Sequence, residues 1–416
     1  MIDFEPSEDQ RMMRDSVAQF AKSTLAPRIR ESERLRAVPE DIRRLAHEMG
    51  LGFIDIPESA GGQGLGLLTR VILEEELGSA DAGAAFGLSG PGSFGLAVVE
   101  LGTTEQAAAL LADFSGIDGH ARFGAVAWSE PKPNKERAGF VTTATPEGEG
   151  YKLTGTKTFI VNAPHADRFL VFAQIDASKG WGGIGAFVVE KDNAGLKVGS
   201  RHDTLGLEAA AFGEITLDGA IVAASARLGA GLSEAELTRA LLRFFTKHAL
   251  VVAARAVGLA RFAYEIALEY CETRKTFGKP IGHFQAVAFN LADRHMDVES
   301  SRWLVWRAAS AWDAKRPEKE KDAMRAEREA MRASAQAAAA ALEAAMRTGD
   351  DCVALHGGSG FIRDLIAEKL MRDAKQIALC CPTPEQLDQI ATALDLGAPL
   401  DPALVLPTPD AQAIFT

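Results

Sequence analysis

The 416-residue chain has little cysteine, less base than acid, and no long apolar run. Four cysteines over that length cannot be the framework of a disulfide-stapled fold. Two of them, Cys380 and Cys381, are adjacent, and chain neighbours are too strained for an ordinary disulfide. A cytoplasmic, reducing setting is the simplest expectation. Lys and Arg number 45 against 57 Asp and Glu, a formal net charge of −12. That argues against general nucleic-acid binding but leaves room for a local basic pocket. No apolar stretch approaches the ~18–20 residues that cross a bilayer, so no membrane span is expected. The opening residues MIDFEPSEDQ are acidic and lack the basic-then-apolar order of a secretion signal. No metal is expected. Residues are 47% hydrophobic and 25% charged, the balance of a globular protein with two or three domains.

Three zones follow along the chain. Residues 1–122 read as helices. Ser7 with Gln10 and Thr103 with Gln106 have capping-box spacing. Ile42, Leu45, Ala46 and Met49 repeat at helical spacing up to Gly50, and Leu68, Val71, Ile72 and Glu75 do so up to Gly78. Residues 123–232 carry short β-rich runs at 124–128, 151–153, 169–174, 185–189 and 212–217, separated by turn signals. Such spacing leaves no room for crossover helices, so an antiparallel barrel or sandwich is expected. Residues 233–395 return to helix, with long amphipathic stretches at 234–271 and 284–314 and an Ala/Arg/Met/Glu-rich one at 323–348. Long neighbouring helices with short breaks predict an antiparallel four-helix bundle. Residues 317–322 read as a solvated connection and 396–416 as a surface tail.

Four collinear stretches make this order specific. They are Trp128-Ser129-Glu130-Pro131; Gly155-Thr156-Lys157-Thr158-Phe159-Ile160-Val161-Asn162; Arg274-Lys275-Thr276-Phe277-Gly278, with Gln285 downstream; and His356-Gly357-Gly358-Ser359-Gly360-Phe361 followed by Leu370-Met371-Arg372-Asp373-Ala374-Lys375. In kind, order and spacing they resemble the signatures of acyl-CoA dehydrogenases over roughly residues 5–395. The resemblance implies a helical domain, a β domain and a helical bundle. It also implies FAD bound between protomers, an acyl-CoA substrate, and electron-transfer flavoprotein as acceptor. The chemistry needs a base at the α carbon, polarisation of the thioester carbonyl, and a flavin beside the Cα–Cβ bond.

The resemblance places Arg274 on the FAD pyrophosphate of a neighbouring protomer, where a guanidinium can give two charge-assisted bonds. Thr276, Phe277 and Gln285 join it, and Gly357, Gly358 and Gly360 would admit backbone close to the cofactor. Ser129, Phe159, Val161 and Thr383 fall at positions facing the chain's own flavin. That side departs from the family. Lys132-Pro133-Asn134-Lys135-Glu136 stands where Gly-x-Gly-Ser-Asp is usual, and Val161 replaces a hydroxyl donor to the flavin.

The base is the larger departure. Counted without gaps, Cys381 stands at the usual glutamate. A register with four inserted residues offers Glu385 instead. The N-cap, Pro and capping-box order of Thr383-Pro384-Glu385-Gln386 favours the ungapped count. Relatives that carry the base on a bundle helix would place it at His248, a residue able to act at neutral pH. Asp81 is a further candidate. The CoA-facing acid and arginine of that helix are Thr246 and Ala249 here. Two readings remain: a self-sufficient homo-oligomeric enzyme (dimer or tetramer) with a displaced base, or a subunit that completes the FAD site of a second acyl-CoA dehydrogenase-like chain. The sorting of losses onto the chain's own flavin side favours the second. A scaffold without FAD would leave Arg274 and the glycine loop unexplained.

Overall fold

In a computed structural model, residues 5–132, 139–398 and 400 are described. The Pro133-Asn134-Lys135-Glu136 replacement and all but the first residues of the expected tail lie outside them. Six α-helices come first: α1 Glu8–Phe20, α2 Ile29–Leu35, α3 Glu40–Glu48, α4 Gly66–Gly87, α5 Gly92–Leu101 and α6 Thr104–Ser115. Both expected capping boxes close, the hydroxyls of Ser7 and Thr103 accepting from the amides of Gln10 and Gln106. Gly50 adopts φ +71° just past α3, the left-handed stop its sequence position implies.

Gly78 does not stop α4. The helix continues to Gly87 through a kink at Asp81 (φ −161°, ψ 104°). The glycine serves packing instead. A Cβ on Gly78 would stand 2.4 Å from the Arg255 carbonyl, and one on Gly258 would stand 2.1 Å from the Glu75 carbonyl. The two glycines let α4 lie against α7 backbone to backbone.

The middle strands are β1 Gly124–Ala127, β2 Thr143–Glu147, β3 Gly150–Val161, β4 Arg168–Gln174, β5 Ile184–Glu190, β6 Leu196–Arg201, β7 Phe212–Ala223 and β8 Arg227–Leu228. They form one sheet in the order β6-β7-β3-β2-β4-β5-β8, with β1 beside β4. Pairing is antiparallel except for β1 with β4 and a single β2–β4 contact, which are parallel. The purely antiparallel expectation is thus corrected to a mixed sheet. The hairpin β2–β3, rather than a helix, carries the chain between the parallel strands. β4 is buried on both faces: Leu170 and Phe172 pack with α5, α6 and α7, while Phe169, Val171 and Ala173 pack inside the sheet domain.

The rest is α7 Glu234–Thr273, a hairpin of β9 Lys275–Thr276 and β10 Lys279–Pro280, α8 Gln285–Asp313, α9 Glu320–His356, α10 Ala367–Ile377 and α11 Pro384–Leu396. The Ala-rich interior of α9 packs with α7, α8, α10 and α11 into one core that also takes in α4. A buried Lys369 bonds Asp81 at 3.0 Å and pairs with Asp373 as well, fastening α10 to the kink of α4. Among the described residues no helix is long and apolar enough to cross a membrane.

Candidate active site

Two motifs from the sequence meet through one buried ion pair. Lys157 on β3 is fully buried, its Nζ 3.0 Å from both Glu130 Oε1 and the Trp128 carbonyl, and 3.5 Å from the centre of the Phe140 ring. Glu130 also accepts from the amides of Val141 (2.7 Å) and Thr142 (2.8 Å). Burial pushes the Lys157 ammonium down to about 7, against the pull of Glu130. The clamp fixes the segment after β1 against β3 and so presents Ser129 and Thr158, the Thr158 amide donating to the Ser129 carbonyl at 2.9 Å. Next to it the β3–β7 register slips between Lys157 and Ile160, and Phe159 adopts φ +54° with 66% of its surface exposed. A strained, exposed aromatic of this kind marks a functional position.

These residues rim a cavity of about 340 Å³ where all three zones of the chain converge. Ser129, Phe159, Val161 and Asn162 line it from the sheet, Phe245, His248 and Arg255 from α7, and Cys380, Cys381 and Pro382 from the turn before α11. His248 and Cys381, drawn from distant segments, therefore share one cavity. His248 Nε2 lies 3.0 Å from the Cys380 carbonyl. A carbonyl only accepts, so Nε2 holds the proton and Nδ1 keeps its lone pair. Burial lowers the imidazole to about 4, the Cys380 carbonyl opposing and Arg255 assisting. Burial, with Cys380 alongside, drives the Cys381 thiol well above its usual value, so it stays protonated at neutral pH. All four cysteines are free.

Glu385 is exposed in the first turn of α11, outside the cavity lining. Its own amide and the Thr383 hydroxyl lower its carboxyl. Thr383 is the N-cap of that helix and closes its capping box with Gln386. Asp81 is buried against Lys369 and also lies outside the cavity. Thr246 bonds back to Leu242, and Ala249 is buried in the bundle core.

The second group of sequence candidates projects outward. Phe277 and Gly278 at the hairpin tip both have positive φ, the requirement of a tight two-residue hairpin turn. Phe277 is 97% exposed there. Arg274, just past α7, and Gln285, opening α8, are exposed; Thr276 is half-buried on the hairpin. The Arg274 guanidinium has no ion-pair or hydrogen-bond partner among the described residues. Gly357 has φ +57° and ψ −137°, and a Cβ on Gly357 or Gly358 would meet nothing within 4 Å. Gly360 instead packs onto α9, where a Cβ would stand 2.4 Å from the Val353 carbonyl. Tyr270 stacks on His356 at 4.4 Å, so the base of the hairpin and the glycine loop share one end of the bundle.

A dinucleotide flavin fits these features. An unpaired guanidinium and open glycine backbone suit a diphosphate. The cavity offers a buried Asn162 Oδ1 without a partner, the Ser129 hydroxyl and the Phe159 ring for the remainder.

Sequence reasoning missed three cavity residues, Arg70, Glu74 and Arg255. The signal was present: Arg70 and Glu74 are four apart on one helix, the spacing of a side-chain pair, and Arg255 interrupts an Ala/Val run.

The fold is that of the flavin-dependent CH–CH oxidoreductases, and the chain belongs to the acyl-CoA dehydrogenase family. The family's N-terminal, middle and C-terminal domain models match residues 7–116, 125–220 and 238–380. The chain is 32% identical over 391 residues to a 3-(aryl)acrylate reductase of Clostridium sporogenes, covering 94% of this chain and 99% of that one. It is 33% identical over 377 residues to CarC, a subunit of the caffeyl-CoA reductase–Etf complex of Acetobacterium woodii, covering 89% and 93%. The butyryl-CoA dehydrogenase structure from Megasphaera elsdenii superposes with a TM-score of 0.84 at 28% identity, covering 95% and 100%.

Proposed function

We propose that the chain is an FAD-dependent oxidoreductase acting on the Cα–Cβ bond of an acyl-CoA thioester, with its own acyl cavity and with His248 as the base. The observation that carries this reading is His248 itself, a neutral imidazole with a free Nδ1 in the cavity rimmed by Ser129 and Phe159. Nδ1 takes the α proton, while Nε2–H on the Cys380 carbonyl holds the ring in that tautomer. FAD, when bound, supplies the acceptor for the β hydride. Arg274, Phe277 and residues 357–358 of a neighbouring protomer complete the cofactor site, and the exposed Phe277 supports that arrangement. Electrons pass on to an electron-transfer flavoprotein, as the description of CarC as part of an Etf complex suggests by analogy. Domain limits near 122, 232 and 395 go with this reading, supported by breaks between Ala121 and Gly124, between Leu228 and Glu234, and after Leu396.

The high thiol value at Cys381 and the apolar Val161 favour a second reading, in which this chain mainly completes the flavin site of a different subunit. FAD per polypeptide, measured by absorbance after denaturation of the protein purified alone, separates the two. The first reading predicts about one FAD per chain. A colourless protein that gains flavin only when co-expressed with a second family member would overturn it.

A further inference from the structure

The cavity floor is charged, which acyl-CoA handling by itself does not require. Glu74 lies between two arginines. Arg255 Nε and Nη2 reach its oxygens at 2.6 and 3.0 Å, and Arg70 Nη2 reaches Oε1 at 2.5 Å. Arg70, Glu74 and Arg255 are 9%, 1% and 8% exposed, and all three line the cavity. Arg70 Nη1 donates to the Leu51 carbonyl at 2.9 Å and stands 3.6 Å from Asp55, while its Nε is buried with no partner. Arg255 lies over the Phe86 ring at 4.3 Å. The hydroxyls of Ser89 and Ser93 also line the cavity and have no partner among the described residues.

We infer that this cavity accepts acyl groups bearing a neutral hydrogen-bonding substituent, a hydroxyl or phenol, at the end distal to the thioester. The inference rests on the acyl-CoA reading above. Two arginines against Glu74 and Asp55 make the floor formally neutral, so a distal carboxylate would add a third anion beside two. A plain alkyl end would displace water from the two serine hydroxyls and give nothing back. A buried polar group left unpaired in this way costs binding, which is why sites built for a hydroxyl reject the analogue without it. A hydroxyl both donates and accepts, so it can meet the guanidinium, the serines and the carboxylates alike. The polar groups are presented by α4, α7, the α4–α5 turn and the first turn of α5, with α4 and α7 held by the Gly78–Gly258 contact, so the floor is built rather than adventitious.

Calorimetric titration of the purified oligomer with hexanoyl-CoA, its isostere 5-hydroxypentanoyl-CoA and glutaryl-CoA tests this, together with the four- and five-carbon members of each series. The hydroxyacyl thioester is expected to bind about 10–100-fold more tightly than its alkyl isostere, the range of one rescued buried polar group. A Ser89→Ala, Ser93→Ala double variant should reduce that preference to within about threefold. Equal or tighter binding of the alkyl series, or tightest binding of the carboxylate series, would overturn the inference while leaving the acyl-CoA reading intact. Failure of every thioester to bind would overturn both.

Discussion

Replacing Glu130 by Gln tests the clamp that assembles the cavity rim. The carboxylate holds a fully buried Lys157 ammonium at 3.0 Å and accepts two backbone amides. Glutamine keeps the shape but not the charge, and its NH2 must face one of the amide donors. Below about pH 7 Lys157 is protonated in the folded state. Breaking a buried pair while one charge stays costs about 3–5 kcal/mol. Above that pH the folded amine is neutral, although the unfolded lysine, near 10.5, still holds its proton. The loss then shrinks to that of hydrogen bonds, about 1–2 kcal/mol. Burial thus makes the wild type gain stability as pH rises from 7 toward 10.5, and it makes Glu130→Gln most damaging in acid. Urea unfolding at pH 6 and pH 8.5, followed by tryptophan fluorescence, measures both. A cost under about 1 kcal/mol at pH 6, or one equal at the two pH values, would refute the role given to this pair.

Three further outcomes are expected. Gly258→Ala places a methyl 2.1 Å from the Glu75 carbonyl and forces α4 from α7; a loss of about 1–3 kcal/mol in thermal unfolding is expected, with weaker acyl-CoA binding as Glu74 and Arg255 separate. Arg274→Ala removes the unpaired guanidinium beside the glycine loop and should weaken FAD retention at least tenfold on gel filtration, since each bond to a charged group is worth about 1.5–3 kcal/mol. His248, lowered to about 4 by burial, should keep the acyl-CoA-dependent rate flat from pH 8 to about 5 and let it fall toward pH 4 as the ring gains a proton; the unfolded histidine protonates near 6.5, so stability begins to fall earlier, below about pH 6.5, and goes on falling to about 4.

What the sequence disclosed was local. The capping boxes at Ser7, Thr103 and Thr383 could be read because N-cap and N3 lie three residues apart. The Arg274–Gly278 motif was visible for the same reason, all its chemistry sitting in one stretch, but its two-stranded hairpin was not, since strands of two residues leave no apolar pattern. Gly78 misled because a glycine that ends a helix and one that admits another backbone are written alike. Strands β2 and β6 were missed because TATPE is largely exposed, LKVGSR is only partly buried, and neither shows an apolar run. The charged floor was hidden by distance, Arg70 and Glu74 lying about 180 residues before Arg255 and meeting it only across the Gly78–Gly258 contact.

The central claim is that His248 removes a proton from an acyl-CoA in this chain's own cavity. Anaerobic stopped-flow bleaching of the flavin by saturating acyl-CoA, in wild type and in His248→Ala, tests it most directly. The account predicts rapid bleaching in the wild type and a rate lower by on the order of 10²–10⁴ in the variant, with FAD content unchanged. Bleaching at the wild-type rate in His248→Ala would contradict it.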